Sequence, residues 1–139
     1  MTAKEFLSQY RTLNAEINAK LDEAAQIRAL AERVTPSEQC GGSGTVSDRI
    51  GHGAARLVDL EREINQDIDR LVDLQAEIVT MIREVGDYNQ RMVLRLRYIN
   101  GWTWEKIAES LGFSYQWVCV LHGRGLENFI KNFSRVDRN

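Results

Sequence analysis

Residues 104–126, WEKIAESLGFSYQWVCVLHGRGL, form the stretch that decides the fold. Its spacing predicts two helices, one from about Thr103 to Leu111 and one starting at Ser114, with a turn at Gly112-Phe113. Gly adopts the positive φ of such a turn without a Cβ clash, and a hydroxyl just before each helix can accept a free backbone N–H. The positions expected to lock the two helices are Trp104, Ile107, Ala108, Leu111, Val118 and Leu121. The stretch predicts a helix-turn-helix; the alternative is a generic pair of core helices.

The second helix of this pair carries side chains suited to DNA. Gln116 can bond adenine through both groups of its amide, and Arg124 can hold a phosphate or a guanine. Ser114 and Tyr115 lie at the helix start, where the dipole favours a phosphate. The side chains expected to be exposed are Ser114, Tyr115, Gln116, Trp117, Cys119, Val120, His122 and Arg124. The apolar members of this set suit a thymine methyl group or else a protein surface, and Gly123 and Gly125 weaken the helix by about 1 kcal/mol each if they are interior and exposed.

The composition indicates an all-α protein. The 139 residues include one Pro and show almost no strand-like alternation. No run of eighteen apolar residues occurs, and the mixed, charged start MTAKEFLSQYRTL is unlike a signal peptide. Cys40 and Cys119 form no CxxC pair, which favours a reducing cytosol. The expected location is the cytoplasm, without a membrane partner.

Charge is distributed unevenly along the chain. Residues 1–87 hold 16 acidic and 10 basic side chains, a net of −6, whereas residues 88–139 hold 4 acidic and 8 basic ones, a net of +4. The basic half contains the predicted helix-turn-helix, so the charge supports a nucleic-acid partner for that part only. Because the excess is modest, electrostatics alone predicts weak binding.

A long first helix is predicted from about Thr2 to Val34 by apolar residues that repeat in sevens. Nine of ten seam positions are apolar, and the exception is Lys20. The seam is Ala3, Phe6, Tyr10, Leu13, Ile17, Lys20, Ala24, Ile27, Ala31 and Val34. Such a stripe is typical of a coiled coil and must be buried against a partner.

A flexible loop is predicted at about 35–53 from Pro36 and the run of glycines, with His52 as a simple loop residue. A second long helix is predicted from about Ala54 to Val85. Its seam, of which only Asp67 is polar, is Leu57, Leu60, Ile64, Asp67, Leu71, Leu74, Ile78, Met81 and Val85. The two seams match in length, so they predict an antiparallel hairpin, or pairing of the same helices between chains. In the hairpin Lys20 faces Asp67, and that pair sets the register.

An acidic run and a short helix are two further features of the sequence. The acidic run between Asp59 and Asp73 is interpreted as a solvated face and not as a metal site. A short helix from about Tyr88 to Ile99 is expected to pack on the motif through Met92, Val93, Leu96 and Ile99, with three arginines on its exposed side. These are Arg91, Arg95 and Arg97. One of Trp102 and Trp104 is expected to pack the junction with the hairpin.

Residues 91–126 resemble region 4 of bacterial sigma factors. The resemblance lies in MVLRLRYINGWTWEKIAESLGFS at 92–114 and in HGRGL at 122–126, where the second helix ends. With DIDRLVDL at 67–74, the chain also resembles small phage and prophage proteins that join a helical arm to such a domain. The resemblance covers roughly residues 57–129 and implies a late-gene transcription activator whose second motif helix enters the major groove. The chain departs from the family in that helix, where several Arg, Lys and Glu are usual and Arg124 is the one permanent cation.

The predicted architecture is therefore a long antiparallel helical hairpin, a coiled-coil arm at 1–87, followed by a small sigma region 4-like helix-turn-helix domain at 88–139. The first functional hypothesis is a non-enzymatic, sequence-specific regulator that binds double-stranded DNA. Its arm would dimerise or dock on RNA polymerase or another protein. The expected DNA contacts are Ser114, Tyr115, Gln116, Trp117, Cys119, Arg124, Arg91, Arg95, Arg97 and Lys106.

Two other functional classes are compatible with the sequence. A protein-binding module or inhibitor would keep the fold and grip its partner through Trp117, because Trp is enriched in interface hot spots. A small terminase subunit also combines a helix-turn-helix with a helical arm. No nucleophile motif or paired-carboxylate pocket is evident, so no enzyme, cofactor, metal or small-molecule substrate is expected.

Overall fold

Helices account for all the regular structure in the residues that the computed structural model describes, 1–33 and 44–136. They are α1 (Ala3–Arg33), α2 (Gly44–Arg83), α3 (Tyr88–Tyr98), α4 (Trp104–Leu111) and α5 (Tyr115–Val136). The predicted all-α class and the order of the helices are confirmed. None of these helices has an apolar stretch long enough to cross a membrane. Cys40 and the rest of segment 34–43 lie outside the described residues.

Helix α2 begins ten residues earlier than the sequence predicts. The expected loop extended to residue 53, but α2 starts at Gly44, so His52 is an exposed helical residue and not a loop residue. Gly51 and Gly53 lie inside this helix. A helical glycine costs only about 1 kcal/mol, and a helix of 40 residues gains a backbone hydrogen bond for each residue it adds once nucleated.

The chain forms two compact units, of which one consists of Asn14–Arg70. Within it α1 and α2 run antiparallel and bury apolar seam residues, among them Ile17 and Leu60. The ammonium of Lys20 lies 2.6 Å from the carboxylate of Asp67, which confirms the predicted pair, and 3.7 Å from that of Glu63. Asp67 is buried, and burial of a carboxylate is costly unless a partner of opposite charge offsets it. The pair favours the observed register because a slip of either helix would separate the charges.

The surface of this unit carries further ion pairs between the two helices. The Arg28 guanidinium lies 3.0 Å from the Glu61 carboxylate, and the Arg56 guanidinium lies 3.3 Å from that of Glu23. These side chains are about half exposed, so each pair contributes little to stability. Three members of the acidic run, Glu61, Glu63 and Asp67, are thus paired with cations of α1. The interpretation of the run as a solvated face is wrong at Asp67, which is buried.

The other compact unit consists of Met1–Leu13 and Leu71–Asn139. Its first core cluster joins the start of α1, the end of α2, one face of α3 and the middle of α5, with Phe129 fully buried. Phe6 packs against Phe129 and Phe133, at ring-centroid distances of 6.2 and 5.5 Å. The buried members are Ala3, Phe6, Leu7, Ile78, Met81, Ile82, Val85, Leu94, Tyr98 and Phe129. Leu7 is fully buried in this cluster although it lies outside the predicted seam, because the seven-residue repeat marks only one face of α1.

Helix α3 carries apolar side chains on two faces, and the second face packs on the helix-turn-helix. That second cluster consists of Val93, Leu96, Ile107, Ala108, Val118 and Leu121. Trp102 and Trp104 are half-buried and pack against this second cluster, so the expectation that one of them joins the hairpin is wrong. Ile99 packs against the first cluster instead of the motif. The two-sided burial makes α3 the support of the motif.

The end of α2 is capped by a side chain from α3. The Arg91 guanidinium donates to the backbone carbonyls of Val85 at 2.7 Å and Gly86 at 3.0 Å. Helix ends leave such carbonyls without partners inside the helix. Gly86 has no positive φ, unlike Gly101 and Gly112, so α2 does not end in a left-handed glycine cap. Arg91 takes over its role.

Candidate nucleic-acid interface

The turn between α4 and α5 forms as its residue types require. Thr103 accepts a hydrogen bond from the backbone N–H of Lys106 at 3.2 Å, and Ser114 accepts one from Trp117 at 3.1 Å. Gly112 ends α4 with φ 71°, in the left-handed region that glycine occupies without strain. Both predicted N-caps and the predicted turn glycine are confirmed. The start of α5 is thereby held in place, with its unpaired N–H groups at the surface.

Four of the six predicted locking residues are buried: Ile107, Ala108, Val118 and Leu121. Trp104 and Leu111 are half-buried and pack against the same cluster, so their predicted burial is only partial. Both lie at the ends of the short helix α4, where the partner helix covers one side only. The crossing of α4 and α5 is nevertheless fixed by residues of the middle turns, so the two helices are held in a fixed position relative to each other.

The first turns of α5 present most of the predicted contact residues to solvent. The exposed members of the predicted set are Ser114, Tyr115, Gln116, Trp117, Cys119 and Arg124. Val118 and Leu121, in the same turns of the helix, are buried against α3 and α4. The structure therefore brings these six residues together on one accessible surface. Neighbouring Cys119 raises the pKa of the Tyr115 phenol, which keeps that hydroxyl protonated as a hydrogen-bond donor.

The four predicted cations outside α5 fall into two groups. Arg95 and Lys106 are exposed, whereas Arg91 and Arg97 are half-buried. Arg97 donates to the backbone carbonyl of Trp102 at 3.0 Å and lies 4.4 Å from the ring centroid of Trp104. Arg91 caps α2. Arg91 and Arg97 thus stabilise the support of the motif, while Arg95 and Lys106 have accessible charges.

Two exposed cations of the motif lie over tryptophan rings. The Lys106 ammonium is 4.2 Å from the ring centroid of Trp102, and the Arg124 guanidinium is 5.5 Å from that of Trp117. Such contacts are worth about 0.5–1 kcal/mol at exposed sites. They restrict where the long side chains point. Arg124 and Trp117 therefore act as one flank of the exposed surface.

His122 is not part of the exposed surface, contrary to the prediction. It is half-buried, its Nε2 lies 2.7 Å from the Tyr98 hydroxyl, and its ring packs edge-on to Trp104 at 4.7 Å. Burial, followed by the charges of Lys4 and Arg97, lowers the pKa of His122 to about 4. The imidazole is therefore neutral near pH 7. Its role is to fasten α5 to α3 and α4.

Other residues that position the surface were missed from the sequence. The Asn128 amide donates to the Gln90 amide oxygen at 2.6 Å, which ties α5 to α3. The spacing of Thr2 and Glu5 is a capping-box signal at the start of α1, where the Glu5 backbone N–H donates to the Thr2 hydroxyl at 3.1 Å. The bond between Asn128 and Gln90 had no such signal, because it joins residues far apart in sequence.

The chemistry of this surface is recognition by hydrogen bonds and apolar contact. Its groups are hydroxyls, an amide, an aromatic pair, a thiol and three cations. Within residues 1–33 and 44–136, no group of three or more His, Cys, Asp or Glu side chains is placed to hold a metal ion. The arrangement suits the edges and phosphates of a duplex.

The comparisons with known proteins bear on this same segment. No curated protein and no solved structure matches the chain. The family model described as sigma-70, region 4, a helix-turn-helix family, matches residues 87–128. These residues run from the N-cap of α3 to the middle of α5 and include the whole exposed surface. The helix-turn-helix that follows the two long helices is thus similar to sigma-70 region 4 over these residues.

Proposed function

We propose that the protein is a sequence-specific, non-enzymatic transcription regulator that places the start of α5 in the major groove of duplex DNA. The observation that carries this proposal is the exposed row of polar side chains at the start of α5, held on a packed helix-turn-helix within the matched segment. In helix-turn-helix proteins the second helix reads base edges with its N-terminal residues.

The proposed contacts follow from the exposed groups. Gln116 reads an adenine through its amide, while the Ser114 and Tyr115 hydroxyls bond phosphates beside the N-terminus of the helix. Arg95 and Lys106 supply exposed charge for the DNA backbone. Arg91 and Arg97, which the sequence also assigned to phosphates, support the motif internally instead.

The long helices have a separate role in this proposal. A single module with few base contacts binds weakly, so a homodimer on two half-sites is expected, with residues 1–87 as the arm and 88–139 as the DNA-binding part. The arm also offers a surface for RNA polymerase or another protein. The resemblance of residues 57–129 to phage and prophage proteins supports such an origin and a place in the bacterial cytoplasm.

The experiment is binding of the full chain to random-sequence duplex DNA at low and at high salt, followed by selection of the bound sequences. We expect salt-sensitive binding and an enriched motif, because neutralised phosphates release counterions. A palindromic motif would show a dimer. Absence of binding even at low salt would contradict the proposal.

A protein-binding module is the second candidate, and one observation favours it. Tyr115, Trp117 and Val120 leave 47%, 40% and 40% of their surface exposed on the same helix. Exposed aromatic side chains are common anchors of protein interfaces. Under this alternative, binding is insensitive to salt and Trp117→Ala abolishes capture of the partner, whereas Arg95→Ala leaves it unchanged.

A further inference from the structure

We infer that the outermost row of α5, Gln116, Cys119, Val120 and Gly123, is a shallow strip that seats against thymine methyl groups. This inference rests on the proposed function and specifies its target as a site in which adenine and thymine lie at the centre of the contact. Gly123 is assigned a role in it, because a residue without a side chain lets the helix backbone approach the bases.

The strip is defined by helical spacing and by burial. Its four residues lie at positions i, i+3, i+4 and i+7, which share one face of a helix. All four are exposed, whereas Val118, Leu121, Gly125 and Phe129 on the opposite face are buried. The strip is thus the part of α5 that points farthest from the core.

The two glycines of α5 differ in what surrounds them. A Cβ at Gly125 would lie 3.3 Å from the Leu94 side chain and 3.5 Å from the Cβ of Gln90, so close packing against α3 explains this glycine. A Cβ at Gly123 would meet no atom within 4 Å. Inside an exposed helix glycine is less favourable than alanine. No packing among residues 1–33 and 44–136 accounts for Gly123, and a closely approaching partner would account for it.

The chemistry of the strip favours thymine over guanine. Guanine presents two acceptors in the major groove and is read best by Arg or Lys, whereas thymine presents a methyl group that apolar side chains contact. The strip holds no cation. Arg124, the one cation in residues 114–126, lies to the side over the Trp117 ring. Val120 and Cys119 offer apolar surface, and Gln116 offers the amide that pairs with adenine.

The first test replaces single thymines of the selected duplex by uracil, which removes the methyl group and leaves base pairing intact. We expect about fourfold weaker binding at one or more central positions, which is the loss expected when one buried methyl group is removed. With Val120→Ala the uracil penalty at the contacted position shrinks. Equal binding of thymine and uracil duplexes at every position would overturn the inference while leaving DNA binding established.

The second test is Gly123→Ala in the full chain, with Gly51→Ala as its matched control. Gly51 is also exposed inside a helix with no atom within 4 Å of a Cβ, and it lies in α2. Both variants should raise the melting temperature by about 2–4 °C, since alanine favours the helix. Gly123→Ala should bind the selected duplex roughly tenfold more weakly, whereas Gly51→Ala binds it as wild type does.

The outcomes separate this inference from the function on which it rests. Wild-type affinity in Gly123→Ala, together with its raised melting temperature, would show a correctly folded helix and overturn the close approach. Failure of the wild-type chain to bind any duplex at low salt would overturn the proposed function and the strip together. Weakened binding by Gly123→Ala and by uracil at the same half of the site supports the strip.

Discussion

At the scale of single residues, His122 is a side chain expected at the surface that packs between helices instead. From the sequence it stood among the exposed residues of the second motif helix. In the structure its ring lies between Tyr98 and Trp104, and Lys4 and Arg97 face it with positive charge. A charged imidazole is disfavoured there by burial and by both cations. The neutral ring links three helices.

This burial predicts a loss of stability in acid. The pKa of His122 is about 4 in the folded chain, against 6.5 for the free side chain, so the unfolded chain binds more protons between these values. The contribution of His122 to stability is complete above pH 6.5 and is lost as the pH falls from 6.5 to 4. Urea denaturation at pH 7.5, 5.5 and 4.5 measures this loss.

The matched control for the pH series is Tyr98→Phe/His122→Phe, which keeps both rings and leaves no hydroxyl without a partner. Its stability should fall less than that of wild type between pH 6.5 and 4, although carboxylates contribute to both curves. His122→Phe alone should also cost about 1–3 kcal/mol at pH 7.5, because the Tyr98 hydroxyl loses its partner. Parallel pH curves for wild type and the double variant would refute the role of His122.

At the scale of the elements, the turn, the caps and the seam contacts followed from residue types and helix periodicity, whereas contacts between helices away from the seams did not. The positive φ of Gly112 and the caps at Thr103 and Ser114 are set within a few residues, and all three were predicted. The start of α2 at Gly44 was not predicted, because glycine is unfavourable inside a helix and the segment contains several glycines. The use of Arg91 as a cap for α2 depends on how two helices meet, which no local pattern encodes.

The close packing of α3 and α5 predicts that Gly125→Ala destabilises the protein. The added methyl gains helix propensity but lies 3.3 Å from the fully buried Leu94, which has little room to move. Crowding of this kind costs about 1–3 kcal/mol, so the net loss should be about 1 kcal/mol. Chemical denaturation measures it. In the Leu94→Val background the same substitution should cost less; an equal cost in both backgrounds would show that Leu94 is not the obstacle.

At the scale of the whole molecule, the part with the long helices is acidic and the part with the helix-turn-helix is basic. The net charges of −6 and +4 for residues 1–87 and 88–139 keep the arm from adding a general attraction for DNA. Helical order and the antiparallel hairpin followed from the periodicity of the seams. The sequence did not show which of the arginines on α3 are accessible and which are half-buried, because this depends on how the helices pack.

The register of the long helices should depend on Lys20 and Asp67. The Asp67 side chain raises the pKa of Lys20 by its hydrogen bond, so the contact favours the charged lysine. Lys20→Asp and Asp67→Lys each place like charges together and should lower the urea midpoint. The exchange of both residues should recover most of the loss. If the double variant is no more stable than the sum of the two single losses implies, the pair does not set the register.

The proposed reading of bases by α5 is tested by the specificity of Gln116→Ala. The affinity of the full chain is measured for the selected duplex and for each of its single-base variants, with Gln26→Ala on the exposed side of α1 as the same substitution elsewhere. We predict that Gln116→Ala loses about 1–3 kcal/mol through one base pair and relaxes specificity there, while Gln26→Ala changes nothing. An equal loss on all sequences, or no loss at all, would contradict the claim.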